Sequence, residues 1–390
     1  MTGVLGITSI FGSPNDRRTW SGAPANVAKA LESRGIKIAG IDASLGRLHY
    51  ALFAGLHLLS LYGRFQNTEA ISRGFSARHS RAETLARNLK KLGISRVLHT
   101  GTLDMPPINS EVSHYLYCDH TWNLSLKHRT DVNSYTERAV REFDDLERQA
   151  YEKSNHIFTF GEYVRQDLIS HYGIPASRVT AVGSGMGSIE PYLGPKDYSH
   201  GRLLFIAKHL FFEKGGHLLL DAFKIAVKRN PKLSLTIVGS PQAQRLASKY
   251  PNVDFRSFIP WSELELLLRE STLLVQPMLN DPWGQVYLEA LISRTPVIGL
   301  NRNGLPEIVQ NGRFGFVVDS ETPEALADAI IEATSDPERL AEMGSGGQQH
   351  VIDNYSWDIV GQRIYDIIEA PAPVPESYTG SYYPVLSNIQ

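Results

Sequence analysis

The feature that most limits the fold of this chain is a regular alternation of short apolar runs with helical stretches. From Arg202 onward the runs Leu203–Ala207, Ser234–Val238, Val253–Phe258, Leu273–Gln276, Pro296–Leu300 and Phe316–Val318 are each separated by helix-type sequence. Strands spaced by helices pair in parallel, with the helices on both faces of the sheet. The first half opens the same way. Val4–Ile10 reads as a buried strand and Gly12–Gly22 as a polar loop. Ala25–Arg34 is a helix with Val27, Ala28 and Leu31 on one side, stopped by Gly35 before the strand Ile36–Ile41. Strand, loop, helix, strand is the start of a nucleotide-type βαβ unit. At 390 residues the chain exceeds what one core usually supports. Ser188–Gly201, with two prolines and two glycines, reads as a linker. The expectation is therefore an α/β protein with domains at 1–190 and 202–355, followed by a return segment and tail at 356–390.

Within the second half, Asn280–Gly299 carries the chemistry. Asp281 sits on an Asp-Pro-Trp-Gly turn directly after an apolar strand, and Glu289 lies in the helix that follows. A helix beginning near Gly284 places Glu289 about 7 to 8 Å along the axis from its open amides. Two carboxylates thus flank one helix start. Open first-turn amides attract phosphate, and carboxylates accept hydrogen bonds from sugar hydroxyls. A diphosphate with hydroxyl-rich groups at both ends has the matching layout. A capped helix with a partly buried glutamate is the plain alternative for these two residues.

This segment resembles the donor-site signature of the family 4 glycosyltransferases: Glu, seven residues, Glu-Ala, then a Thr/Ser-Pro-Val-Ile strand. Asp281 and Glu289 have that spacing, with Asp where Glu is usual, one methylene shorter. Leu203–Gly216 is similar to the family's strand, Gly-Arg, loop, Glu-Lys-Gly, helix segment, with Lys208 at the arginine position and Lys214 at the lysine position. GEYVRQDLISHYGIPASRVTAVGSGM, from Gly161 to Met186, resembles the family's approach to the linker, and Gly304–Val309 with Gly312 and Gly315 also follows its pattern. The likeness is dense from about 155 to 360 and thin before 150.

The resemblance implies a GT-B fold, in which the parallel sheets of two Rossmann-like domains face each other across a cleft. It implies transfer of a hexose-type sugar from a UDP- or GDP-linked donor to a glycan, glycolipid or small-molecule hydroxyl, with retention of anomeric configuration. Lys208, Lys214 and the amides at Gly284, Gln285 and Val286 would take the diphosphate. Asp281 would hold the sugar hydroxyls, Glu289 the ribose, and the Phe258–Pro260 backbone the base. Gly22, in Ser21-Gly22, stands where the family has a Gly-Gly loop. His120, just beyond a strand's carboxyl end, is the match for the family's histidine beside the reacting sugar, with Asp119 second; a loop histidine is its plain reading. Trp122 suits either acceptor stacking or burial. No cofactor is expected, nor a metal, since no Asp-x-Asp metal motif is present.

Composition narrows the alternatives. A formal net charge of −2 gives no basic face for nucleic acid. The single cysteine, Cys118, excludes an internal disulfide and fits a reducing, cytoplasmic setting. The amino terminus reads as a strand rather than a leader. Leu48–Tyr62, followed by Arg64, Arg73, Arg78, His79 and Arg81, has two readings: a peripheral seat on the inner membrane face through 48–81, or a core helix plus a solvated helix with Leu85, Leu89 and Leu92 inward. Rival functions are a sugar-nucleotide epimerase or phosphorylase on the same fold and a non-catalytic nucleotide-sugar-binding scaffold. A dinucleotide dehydrogenase is disfavoured because no Gly-x-Gly-x-x-Gly follows the first strand.

Overall fold

The computed structural model describes residues 3–46, 49, 51–53, 55, 68–105, 111–128, 134–187, 189–207, 210–239, 241–250, 252–257 and 259–370. Lys208, Phe258, most of 48–62 and the tail beyond Ala370 lie outside them.

Twelve strands form two sheets of six among the described residues. In the first, β1 (Leu5–Ser9), β2 (Ile38–Asp42), β3 (Arg96–Thr100), β4 (Ser113–Cys118), β5 (His156–Thr159) and β6 (Val179–Ala181) stand in the order β2-β1-β3-β4-β5-β6. In the second, β7 (Arg202–Ala207), β8 (Ser234–Gly239), β9 (Val253–Arg256), β10 (Leu273–Val275), β11 (Val297–Leu300) and β12 (Gly315–Val318) stand as β12-β11-β10-β7-β8-β9. Every pairing is parallel, as with Leu5 beside both Ile38 and Arg96, or Leu203 beside Leu235 and Leu273. Burial explains why the strands read as unbroken apolar runs: all five residues of β1 and all four of β11 are buried, because helices cover both faces.

The strand order reverses between β1 and β3 in the first sheet and between β7 and β10 in the second. In open α/β sheets a ligand site forms beyond the carboxyl ends of the strands at such a reversal. Those ends meet here, because the Tyr163 hydroxyl, just past β5, lies 2.6 Å from the Pro282 carbonyl, just past β10. One apolar cluster joins the halves, running from Leu5, Ile7 and Val27 through Phe160 and Trp283 to Leu288 and Leu291.

Local departures from the sequence reading have physical causes. The charged helix expected from Asn133 begins at Glu137, because the Thr136 hydroxyl accepts from the Ala139 amide and sets the start. The return segment is itself a helix, Trp357–Ile368, capped by Ser356. It packs on the first-domain helix Ala23–Glu32, and Arg34 binds both Asp358 and Gln362 at 2.8 Å.

Three cations of the membrane-contact reading of 48–81 turn inward, while His79 is exposed and Arg64 lies outside the described residues. Arg78 and Arg81 are only 7% and 5% exposed. Arg78 donates to the carbonyls of Arg73 and Thr102, and Arg81 to the Ser72 carbonyl and hydroxyl. Arg73 pairs with Glu69 at 2.7 Å and Glu147 at 3.4 Å. These arginines are internal struts, which corrects the solvated-helix alternative as well. On the same helix, Phe75–Leu92, Leu85 and Leu89 are buried as expected, while Leu92 is exposed. No helix among the described residues is long and apolar enough to cross a membrane.

Candidate active site

The second-domain wall of the cleft is built from the loops after β7 and β10. Their backbones are tied together: the amides of Leu279 and Asn280 both donate to the Glu213 carbonyl, at 2.8 and 3.2 Å. Gly215 (φ 79°) completes the join, since a Cβ there would fall 2.0 Å from the Pro277 carbonyl oxygen. Only glycine fits, and the fit sets Lys214 directly beside the turn that carries Asp281. Lys214 Nζ lies 3.1 Å from Asp281 Oδ2. The other carboxylate oxygen, Oδ1, accepts from the Gly284 amide at 2.9 Å. Gly284 (φ 75°) opens the helix Gln285–Ile292. A cation, a carboxylate and a helix start therefore occupy one spot at the strand-order reversal. With side chains 22% and 27% exposed, this pair contributes at most about 1 kcal/mol to stability. Its consequence is geometric: Lys214 is held at the positive end of a helix.

Asp281 is held by partners of its own domain. Both of its oxygens are already engaged, because the side chain, one methylene short, folds back onto its own turn and onto Lys214. Glu289 is nearly buried, at 9% exposure, with its carboxylate against the Gly187 backbone of the linker. Gln285 is committed as well: its amide donates to the Gly185 carbonyl, and Ser184 Oγ donates to its Oε1 at 3.4 Å. Val286 is buried in the core. Lys208 and Phe258 fall outside the described residues.

The first-domain wall follows β1 and β4. Gly22 precedes the helix Ala23–Glu32, and Trp20 and Ser21 before it also have positive φ, at 43° and 54°. A non-glycine residue held there stores about 1 to 3 kcal/mol, which its surroundings must repay. The Trp20 ring does so by packing at 5.2 Å on Phe160 and 6.0 Å on Tyr117.

Asp119 and His120, both half-buried, follow β4. Burial above all, then the negative charge of Asp281, pushes the Asp119 carboxyl up to about 6. The two acids thus sense each other across the cleft. Burial pushes the His120 imidazole down to about 3, helped by the nearby His128 imidazole and the Arg73 guanidinium. His120 is neutral at pH 7. Trp122 resolves to its plain reading: it is fully buried, its indole donates to the Val140 carbonyl at 3.1 Å, and Tyr135 and Phe143 pack edge-on against it.

Two residues that the sequence did not single out bridge the walls. Besides Pro282, the Tyr163 hydroxyl lies 3.1 Å from the Asp119 carbonyl and 3.4 Å from His120 Nδ1. Glu307 Oε2 accepts from the Glu162 amide at 2.7 Å, capping a first-domain helix from the second domain. The available signal was a tyrosine in the first helical turn after β5; its partners, more than 40 residues away, leave no local mark.

Residues 196–350 match the family model of the glycosyl transferases group 1. The chain is 27% identical over 251 residues to alpha-maltose-1-phosphate synthase of Mycolicibacterium smegmatis, covering 57% of this chain and 65% of that protein. It is 25% identical over 270 residues to D-inositol 3-phosphate glycosyltransferase of Corynebacterium glutamicum, covering 60% and 64%. The match thus spans less than two thirds of either relative. Among solved structures, sucrose-phosphate synthase from Thermosynechococcus elongatus superimposes with a TM-score of 0.69 at 15% identity, over 93% of this chain and 98% of that one. An Anabaena protein solved with UDP and glucose gives 0.63 at 14%, over 94% and 99%. The two sheets and their helices together have the GT-B fold.

Proposed function

We propose that this chain is a retaining glycosyltransferase that moves a hexose-type sugar from a UDP- or GDP-linked donor to an acceptor hydroxyl. One observation carries the reading: Lys214 is held by Asp281 at the open start of the helix Gln285–Ile292, where the strand order reverses. An incoming diphosphate would meet a cation and the first-turn amides of Gln285 and Val286 together. A unit charge pair at 4 Å is worth about 4 kcal/mol at an effective dielectric near 20, so Lys214, Lys208 and the amides would stabilise the leaving group in the role a metal plays elsewhere. Asp281 would share its Oδ2 between Lys214 and a sugar hydroxyl, Glu289 would face the ribose, and neutral His120 would accept from a hydroxyl of the reacting sugar. By family likeness, a diphosphate oxygen would take the acceptor's proton on the face it leaves. The acceptor would be a glycan, a glycolipid or a small molecule.

A panel of nucleoside diphosphates and their sugars tests binding by thermal shift, since a ligand at 100 times its Kd adds about 2.7 kcal/mol. Lys214→Ala is expected to lower transfer at least about 100-fold at saturating acceptor, on the scale of losing one oxyanion-type contact, and wild-type turnover should persist in chelator. Unchanged transfer in Lys214→Ala would reject the assignment. Binding with neither transfer nor donor hydrolysis would indicate the scaffold, and donor conversion without acceptor the epimerase.

A further inference from the structure

The Tyr163 hydroxyl has one proton and two carbonyl neighbours, Pro282 O at 2.6 Å and Asp119 O at 3.1 Å. Carbonyls only accept, so the proton goes to the nearer, Pro282. The lone pairs left on the phenolic oxygen then face His120 Nδ1, 3.4 Å away, with the two rings 5.9 Å apart. A neutral imidazole carries one N–H, and the group that its other nitrogen meets decides which nitrogen holds it. An oxygen that has already given its proton to Pro282 can only accept from Nδ1. His120 is therefore Nδ1–H, and Nε2 is the acceptor.

The contact at Pro282 exists only while the two domains are together, because Tyr163 begins a first-domain helix and Pro282 belongs to the turn carrying Asp281. Glu307 fixes the same helix start through the Glu162 amide. We propose that Tyr163 is a positioning residue for the transfer reaction: with the cleft closed, its hydroxyl links the Asp281 turn to His120 and holds the imidazole in the Nδ1–H form, so that Nε2 accepts from a sugar hydroxyl. The proposal rests on reading the cleft as a sugar-transfer site.

The test uses the full chain with ¹⁵N-labelled histidine, compared as wild type and Tyr163→Phe, with and without UDP or GDP. The resonances of His120 are identified by their loss in His120→Gln. In wild type with nucleotide the ring is expected as Nδ1–H, and in Tyr163→Phe it reverts to Nε2–H, the form an unassisted imidazole prefers. In transfer assays Tyr163→Phe is expected to lower kcat about 10- to 100-fold, the scale of a misplaced reacting group, with KM for the donor within about threefold. The same tautomer in both proteins, or a loss carried wholly by KM, overturns the proposal. Should Tyr163→Phe fail to fold, an Nε2–H His120 in the wild type overturns it alone. If the wild type transfers no sugar while the tautomer still switches, the reaction assignment falls and the Tyr163–His120 link stands.

Discussion

Substituting Gly215 by alanine isolates the join that sets Lys214 beside Asp281. Two costs arise. The position has φ 79°, where an L-residue pays about 1 to 2 kcal/mol. The added methyl would also fall 2.0 Å from Pro277 O, more than about 1 Å inside ordinary contact. Relieving that contact pushes the two loops apart, at about 1 to 3 kcal/mol for an overpacked site. The sum is about 2 to 5 kcal/mol. Gly35 supplies the control: its φ is 86° and nothing lies within 4 Å of where a methyl would sit, so Gly35→Ala carries the backbone cost alone. Both variants are measured by chemical denaturation and by nucleoside diphosphate binding. Gly215→Ala is expected to lose at least about 1 kcal/mol more than Gly35→Ala and to weaken binding, while Gly35→Ala binds as wild type does. Equal losses, with binding intact in both, would refute the claim that this glycine places the lysine.

Two further outcomes follow from the geometry. Burial pushes the Glu307 carboxyl up to about 7, above its ordinary 4.5, against the lowering effect of the Glu162 amide that it accepts from. A raised carboxyl pKa gives stability that is complete below the ordinary value and lost as pH rises through the folded one, so wild type should lose melting temperature relative to Glu307→Gln between pH 5 and 8; a constant difference would contradict this. Trp122→Phe should lower the melting temperature while leaving acceptor KM unchanged, because the indole is core; a KM effect without destabilisation would return it to the acceptor site.

The legible part of this molecule is what local pattern can encode. Continuous apolar runs such as Leu203–Ala207 announced buried parallel strands, and Glu213-Lys214-Gly215-Gly216 announced a loop leading into a helix. The Asp281–Glu289 spacing located the helix start. What stayed hidden depends on partners distant in sequence. Nothing in the order of residues 69–81 reveals that Arg78 and Arg81 turn inward to carbonyls, so an internal network reads as a surface cation cluster. Tyr163 and Glu307 matter only once two sheets face each other. The commitment of Asp281 to Lys214 is likewise invisible in a motif that records spacing but not which oxygen meets which proton.

The chain passes between its halves twice, once near Met186 and again near Tyr355, and the two passages are bonded: the Met186 amide donates to the Tyr355 carbonyl at 2.6 Å, and Arg363 donates to the Val182 carbonyl at 3.0 Å. A single tether would let one half swivel in any direction. Two tethers fastened side by side behave like a door hung on paired pins, which swings about one axis and returns the same faces to each other every time. Lys214 and His120 are carried on the two parts that this doubled joint connects.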